Sequence, residues 1–111
     1  MLLRYYALIV LGLLLIYTLV EPHWLEQKIY TIASPEIPAS FHNMKIVFLS
    51  DLHHGAFLSI NRLKRVVEKV NRLAPDLVLL GGDYLYGSAK HLNPCFRELA
   101  KLKATFGVYG V

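Results

Sequence analysis

An uncharged apolar run near the N-terminus, from Tyr5 to Val20, limits most strongly what this chain can fold into. As a helix it would span about 24 Å, slightly less than the ~30 Å hydrocarbon core of a bilayer. Tyr6 and Tyr17 lie near its two ends, where aromatic side chains favour the membrane interface. A helix that is apolar on every face cannot be buried in a small domain. We therefore expect residues 1–24 to form an N-terminal signal anchor, which is a single transmembrane helix.

A cleaved signal peptide is the alternative interpretation of this segment. Cleavage requires small residues after the apolar run, and residues 18–22 fit that requirement poorly. Arg4 precedes the run, whereas the first basic residue after it is Lys28. This bias predicts a cytoplasmic N-terminus, one pass through the inner or plasma membrane, and the remaining chain on the periplasmic or extracellular side. The lipid bilayer is then a partner through residues 5–20.

The remaining chain suffices for one small domain. The types of residue from Leu25 to Ile32 favour an edge strand, and Pro35 and Pro38 predict an extended linker that reaches residue 43. A core can then be built only from residues 44–111, and a domain of that size is marginally stable. Its single cysteine, Cys95, cannot form an intrachain disulfide, and we expect it to be a small buried residue.

A regular succession of apolar and amphipathic segments begins at Met44. Ser59 can cap a helix whose apolar residues recur on one face until Pro75 ends it. Three apolar runs predict strands, and the first two are continuous enough to be buried on both faces. These strands cover residues 45–50, 76–80 and 107–111, and a second helix begins at Asn93 and Pro94. The order β-α-β-α-β predicts an α/β fold with parallel strands and right-handed crossovers.

The formal net charge of +4 is concentrated on the first helix of this predicted domain. Anionic lipid or nucleic acid can bind such a basic surface, but a solvated outer helix face is the simpler interpretation. Aromatic residues do not interleave with the basic ones as they do in single-strand binders, so we expect no nucleic-acid partner. The basic residues are Arg62, Lys64, Arg65, Lys69 and Arg72.

Polar side chains follow the first two predicted strands, where functional crevices of parallel sheets lie. Asp51 and His53 come after the first strand, and Asp83 comes after the second. Asp51 and His53 are two residues apart at a strand end, so their side chains leave the same face of the sheet. If the second predicted strand lies beside the first, about 5 Å away, Asp83 reaches the same edge of the sheet. Two carboxylates and an imidazole suit a hard or borderline divalent metal ion. Two such ions can clamp an in-line displacement at phosphorus.

Three segments together resemble the calcineurin-like metallophosphoesterases, and most closely the membrane-anchored bacterial branch of phosphodiesterases. They are Ser50-Asp51-Leu52-His53-His54-Gly55, Gly81-Gly82-Asp83-Tyr84 and Gly107-Val108-Tyr109-Gly110-Val111. The resemblance implies the first part of an αββα sandwich that hydrolyses a phosphoester substrate. It also implies two divalent metal ions, of Mn, Fe, Zn or a similar metal, with Asp51 and His53 on the first ion and Asp83 bridging both.

The resemblance stops short of the segments that complete the family's site. Members continue from the third strand into a G-N-H-D/E signature and later histidines, whereas this sequence ends at Val111. We therefore expect no catalytic residue within this chain and little activity from it alone. A truncated inactive chain and a non-enzymatic membrane-anchored binding module are the alternatives. His54 and Tyr84 are candidates for contacting substrate. The simpler interpretation of His54 is a loop side chain that faces solvent or packs locally, and that of Tyr84 is a packing residue.

Overall fold

The computed structural model describes residues 2–20, 25–55 and 57–111. Helix α1 (Leu2–Val20) contains the predicted apolar run, and its apolar side chains are exposed as far as residue 18. Among the helices of the described residues, none combines the length and the apolar character needed to cross a membrane. The predicted transmembrane span is therefore not confirmed. Residue 1 and residues 21–24 of the predicted anchor lie outside the described residues.

The segment between α1 and the first strand is irregular. Residues 25–34 form neither helix nor strand, so the predicted edge strand from Leu25 to Ile32 is absent. Ile29, Tyr30 and Ile32 are all exposed. β-Branched and aromatic residues favour strands because they fit a half-buried pleated surface, and this segment has no neighbouring strand to supply one. A turn in which the backbone N–H of Ile37 donates to the carbonyl oxygen of Ser34 (3.2 Å) follows.

The remaining elements confirm the predicted β-α-β-α-β order and add two short strands. They are β1 (Ile46–Leu49), β2 (His54–Gly55), α2 (Ile60–Arg72), β3 (Leu77–Leu80), β4 (Leu85–Tyr86), α3 (Leu92–Leu99) and β5 (Val108–Gly110), with 3-10 turns at Ala39–Phe41 and Ala89–His91. The three longer strands pair in parallel in the order β1-β3-β5. Leu49 lies opposite Leu80, which lies opposite Gly110, so the carboxyl ends of the three strands are level.

The hydrophobic core lies between one face of this sheet and the two helices. The buried side chains of α2 lie on the predicted apolar face, and they meet Val78 of β3 and Leu99 of α3. Cys95 is fully buried, as predicted, and burial raises the pKa of its thiol. The buried residues of α2 are Leu63, Val66, Val67 and Val70.

Strand β1 is buried on one face only, so the prediction of burial on both faces was wrong for it. Val47 and Leu49 pack against the core, whereas Ile46 and Phe48 are 50% and 64% exposed. Successive side chains of a strand point to opposite faces of the sheet, and α2 and α3 pack against the same face. A continuous apolar run therefore does not report whether the second face is covered.

The helix boundaries differ slightly from the predicted ones. Ser59 directly precedes α2, as predicted, but its side chain makes no capping hydrogen bond. Helix α3 begins at Leu92, two residues before Pro94, because the 3-10 turn Ala89–His91 leads directly into it. Three of the basic residues of α2 are exposed, in agreement with a solvated outer face: Lys64, Arg65 and Arg72.

Truncating a core side chain should destabilise this unit far more than truncating an exposed one. Leu63 is 0% exposed, and we expect Leu63→Ala to lower the free energy of unfolding by about 2–5 kcal/mol. The matched control is Leu92→Ala at the exposed start of α3, for which a change within about 0.5 kcal/mol is expected. Urea unfolding followed by circular dichroism in mild detergent measures both. Equal losses in the two variants would contradict the placement of Leu63 in the core.

Candidate metal centre

The three predicted ligands lie on the loops that leave β1 and β3, and all three have left-handed backbone conformations. The φ angles are 56° for Asp51, 46° for His53 and 53° for Asp83. Positive φ is uncommon outside glycine, although Asp and His tolerate it better than most residues. Only two other non-glycine residues of the described chain share it, Asn43 and Ala74. Such conformations persist where the surrounding structure enforces them, often at functional sites.

Backbone hydrogen bonds fasten the two loops together beyond the ends of the long strands. The N–H of His53 donates to the carbonyl oxygen of Asp83 (3.0 Å), and the N–H of His54 donates to that of Tyr84 (2.8 Å). The short strands β2 and β4 then pair in parallel, with His54 opposite Leu85. At Gly55 (φ 137°) an added Cβ would collide with the carbonyl oxygen of Tyr86, so this pairing requires glycine. The ladder holds the first ligand loop against the second.

These contacts bring the three side chains together. One ligand atom from each of Asp51, His53 and Asp83 lies within 4.8 Å of the others. His53 Nε2 is 3.9 Å from Asp51 Oδ1 and 3.8 Å from Asp83 Oδ2, too far for hydrogen bonds. Two ligands at ~2.0–2.2 Å from one ion lie at most about 4.4 Å apart, so a single ion can span either separation.

The charges of the cluster fit a cation. No lysine or arginine of the described residues forms an ion pair with Asp51 or Asp83. Their side chains are 67% and 65% exposed and that of His53 is 36% exposed, so an ion can reach the cluster from solvent. Two uncompensated carboxylates facing an imidazole nitrogen form a donor set that suits Mn, Fe or Zn.

An aromatic pair borders the cluster. The ring of Tyr86 packs edge to face against His53, with 6.2 Å between centroids, and Phe57 packs against Tyr86 at 4.5 Å. These contacts limit the orientations open to the imidazole of His53. The sequence did not single out Phe57, because a two-residue ladder such as β2–β4 is too short to produce a periodic pattern.

The two residues predicted to contact substrate are engaged in internal contacts. His54 is only 3% exposed, and its Nδ1 lies 2.7 Å from the carbonyl oxygen of Leu58. The hydroxyl of Tyr84 donates to the carbonyl oxygen of Val111 (2.8 Å), and its ring packs on Phe96. Substrate contact by either residue stays a prediction, and these contacts favour a supporting role. His91 packs edge to face against His54, with 5.4 Å between the ring centroids.

Comparison with known proteins identifies a matching family model and several relatives. Residues 44–110 match the family model described as calcineurin-like phosphoesterase. The uncharacterized metallophosphoesterase YkuE of Bacillus subtilis is 36% identical over 95 residues, which are 81% of this chain and 33% of that protein. A transmembrane protein with metallophosphoesterase domain from Danio rerio is 31% identical over 105 residues, which are 93% of this chain and 24% of that protein.

A third relative is likewise matched over only part of its length. The uncharacterized metallophosphoesterase Cj0846 of Campylobacter jejuni is 32% identical over 103 residues, which are 93% of this chain and 27% of that protein. This chain therefore spans between 24% and 33% of the length of these three relatives. No solved structure gives a significant match. The matched range of the family model contains Asp51, His53 and Asp83. The chain belongs to the calcineurin-like phosphoesterase family.

Proposed function

We propose that this chain contributes Asp51, His53 and Asp83 as metal ligands to a metal-dependent phosphoester hydrolase. The observation that carries the proposal is the convergence of these three side chains within 4.8 Å at the carboxyl ends of two paired parallel strands. Family membership supplies the reaction class, which is hydrolysis of phosphoesters with divalent metal ions. Because the chain spans at most 33% of its relatives named above, we assign this activity to the full-length protein.

Within this proposal, Asp51, His53 and Asp83 would be the residues of this chain that hold the divalent metal ions. When bound, such ions activate a water molecule near neutral pH and stabilise the charge that develops on the transferring phosphoryl group. The chain's own residues fix where that chemistry takes place. The β2–β4 ladder holds His53 beside Asp83, and the contact with Tyr86 restrains its imidazole. We assign no proton-transfer role to any residue of this chain.

The finer assignments are part of the same proposal. Residues 44–111 would form the N-terminal part of an αββα sandwich, and the substrate would be a phosphodiester. Both rest on the resemblance of three segments to the membrane-anchored branch of the family, namely Ser50–Gly55, Gly81–Tyr84 and Gly107–Val111.

We also propose that α1 attaches the protein to a membrane. Its run from Tyr5 to Val20 carries no charge, and its apolar side chains are exposed to residue 18. Relatives from Danio rerio and Bos taurus are named transmembrane proteins with metallophosphoesterase domain. Arg4 before the run favours a cytoplasmic N-terminus, which would place residues 25–111 on the outer side of the membrane.

Removal of one metal ligand should abolish most of the activity of the full-length protein. We expect Asp51→Asn or Asp83→Asn to lower the rate of bis-p-nitrophenyl phosphate hydrolysis by about 100-fold or more, because replacing residues that merely support ligands already costs about 10–100-fold. EDTA should abolish the parent activity and Mn²⁺ should restore it. Glu68→Gln, on the exposed side of α2, is the matched control and should keep the parent rate. Parent-rate hydrolysis by either Asp variant would refute the proposal.

Charged substitutions in α1 should release the protein from membranes. Leu8 and Leu13 are exposed apolar residues of this helix, and Leu8→Asp combined with Leu13→Asp removes much of its affinity for hydrocarbon. In fractionated cells we expect the parent protein to remain in the membrane pellet after carbonate washing and the double variant to become soluble. The control Lys64→Gln and Arg65→Gln, on α2, should stay in the pellet. Release of the parent protein by carbonate would contradict the proposal.

A further inference from the structure

His54 is the buried polar residue closest in sequence to the candidate ligands, and the proposed chemistry does not use it. Only two polar or charged residues of the described chain are buried, His54 and Glu98, and Glu98 is paired with Lys101 at 2.6 Å. A buried imidazole needs a partner, because leaving a buried polar group without a hydrogen bond is costly. The hydrogen-bond partner of the His54 imidazole therefore indicates the structural role of this side chain.

That partner is a backbone carbonyl on the far side of the loop. The carbonyl oxygen of Leu58 lies 2.7 Å from His54 Nδ1 and also accepts from the N–H of Gly55 at 3.1 Å. A carbonyl can only accept, so Nδ1 must carry the proton of this hydrogen bond. The two hydrogen bonds tie the start of the loop to the residue just before Ser59, which precedes α2. The loop after the first two ligands is thus closed by a side chain as well as by the backbone.

The backbone of His54 is also held by a hydrogen bond to the loop that leaves β3. Its N–H donates to the carbonyl oxygen of Tyr84 at 2.8 Å, next to the hydrogen bond from the N–H of His53 to Asp83 at 3.0 Å. His54 therefore joins the loop that leaves β1, the loop that leaves β3, and the start of α2. His53, directly before it, has a φ of 46°, a conformation that is uncommon outside glycine and that neighbouring contacts stabilise.

We propose that His54 is a positioning residue for the metal centre. Its Nδ1–H···O=C hydrogen bond to Leu58 keeps the backbone of His53 left-handed, and this conformation directs the imidazole of His53 towards Asp51 and Asp83. Without that hydrogen bond, His53 relaxes towards negative φ and the three ligand atoms separate. This inference rests on the proposed metal-binding function, but the conformational part of it can be tested without metal.

The test compares two amides that place the donor differently. In Asn the side-chain nitrogen occupies nearly the position of histidine Nδ1, whereas in Gln it lies farther out, near the position of Nε2. In the full-length protein, we expect the Mn²⁺ affinity of His54→Asn to stay within about two-fold of the parent value. We expect His54→Gln and His54→Ala to lower this affinity about ten-fold or more. Electron paramagnetic resonance of free Mn²⁺ measures the affinity. His91→Asn is the control, since His91 touches His54 without a hydrogen bond to it, and should retain the parent affinity.

A second measurement separates positioning from general loss of structure. Protection of the Cys95 thiol from alkylation reports that the core is intact, since Cys95 is fully buried. In variants that keep this protection, the metal-free His54→Ala and His54→Gln chains should exchange the amide hydrogen of His53 at least about ten-fold faster than His54→Asn, because its hydrogen bond to Asp83 opens locally. Should His54→Ala fail to fold, the Asn and Gln variants give the same comparison.

Each outcome bears on a different claim. Equal Mn²⁺ affinity in His54→Asn and His54→Gln, or equal exchange of the His53 amide in both, would overturn the positioning role. Failure of the parent full-length protein to bind Mn²⁺ would instead count against the proposed metal centre, and amide exchange would then decide the role of His54 alone. Loss of affinity in the Gln variant with retention in the Asn variant supports both.

Discussion

The parallel pairing of β1 with β3 determines where every candidate ligand lies. Leu49 faces Leu80 in register, and the N–H of Gly81 donates to the carbonyl oxygen of Leu49 at 2.7 Å, so both strands end at the same level. The polar residues that follow each strand must then emerge side by side. A shift of one residue in this register would turn the apolar side chains of β3 to the other face of the sheet and separate His53 from Asp83. The site therefore depends on the same packing that builds the core.

The core fixes that register from one side. Val78 in the central strand packs among the buried residues of α2 and α3, and a shift of β3 along its neighbours would break this packing. At the edge of the sheet, Asp51, His53 and Asp83 all adopt left-handed backbone conformations, which are strained for residues other than glycine. Folded chains tolerate such local strain where the surrounding contacts are strong and the site has a use for it. Here the contacts are the β2–β4 ladder and the hydrogen bonds of His54.

The electrostatics of the chain separate into two regions. The helix α2 carries five basic residues and one acidic residue, whereas two carboxylates lie at the carboxyl ends of β1 and β3. The carboxylates have no cationic side-chain partner among lysines and arginines of the described residues. Like charges so close together are destabilising unless a cation neutralises them. A divalent ion would remove this repulsion, so metal binding and stability of the loops should be coupled.

The sequence by itself determined the order of elements, the buried face of α2, the burial of Cys95 and the three residues of the candidate metal centre. Those features depend on apolar periodicity and on the geometry of parallel strands, which local sequence encodes. The sequence wrongly predicted a strand from Leu25 to Ile32, because strand propensity does not supply a pairing partner. It also wrongly predicted burial of β1 on both faces, because an apolar run does not report which faces are covered. Only the tertiary structure decided that β2 pairs with β4 and that Asp51, His53 and Asp83 have left-handed backbone conformations. It also decided that the side chain of His54 is buried against Leu58 rather than exposed beside the site. The pairing of β2 with β4 joins the loops after two different strands, and the contact of His54 with Leu58 closes one of those loops on itself. Such irregular contacts leave no periodic signal in the sequence.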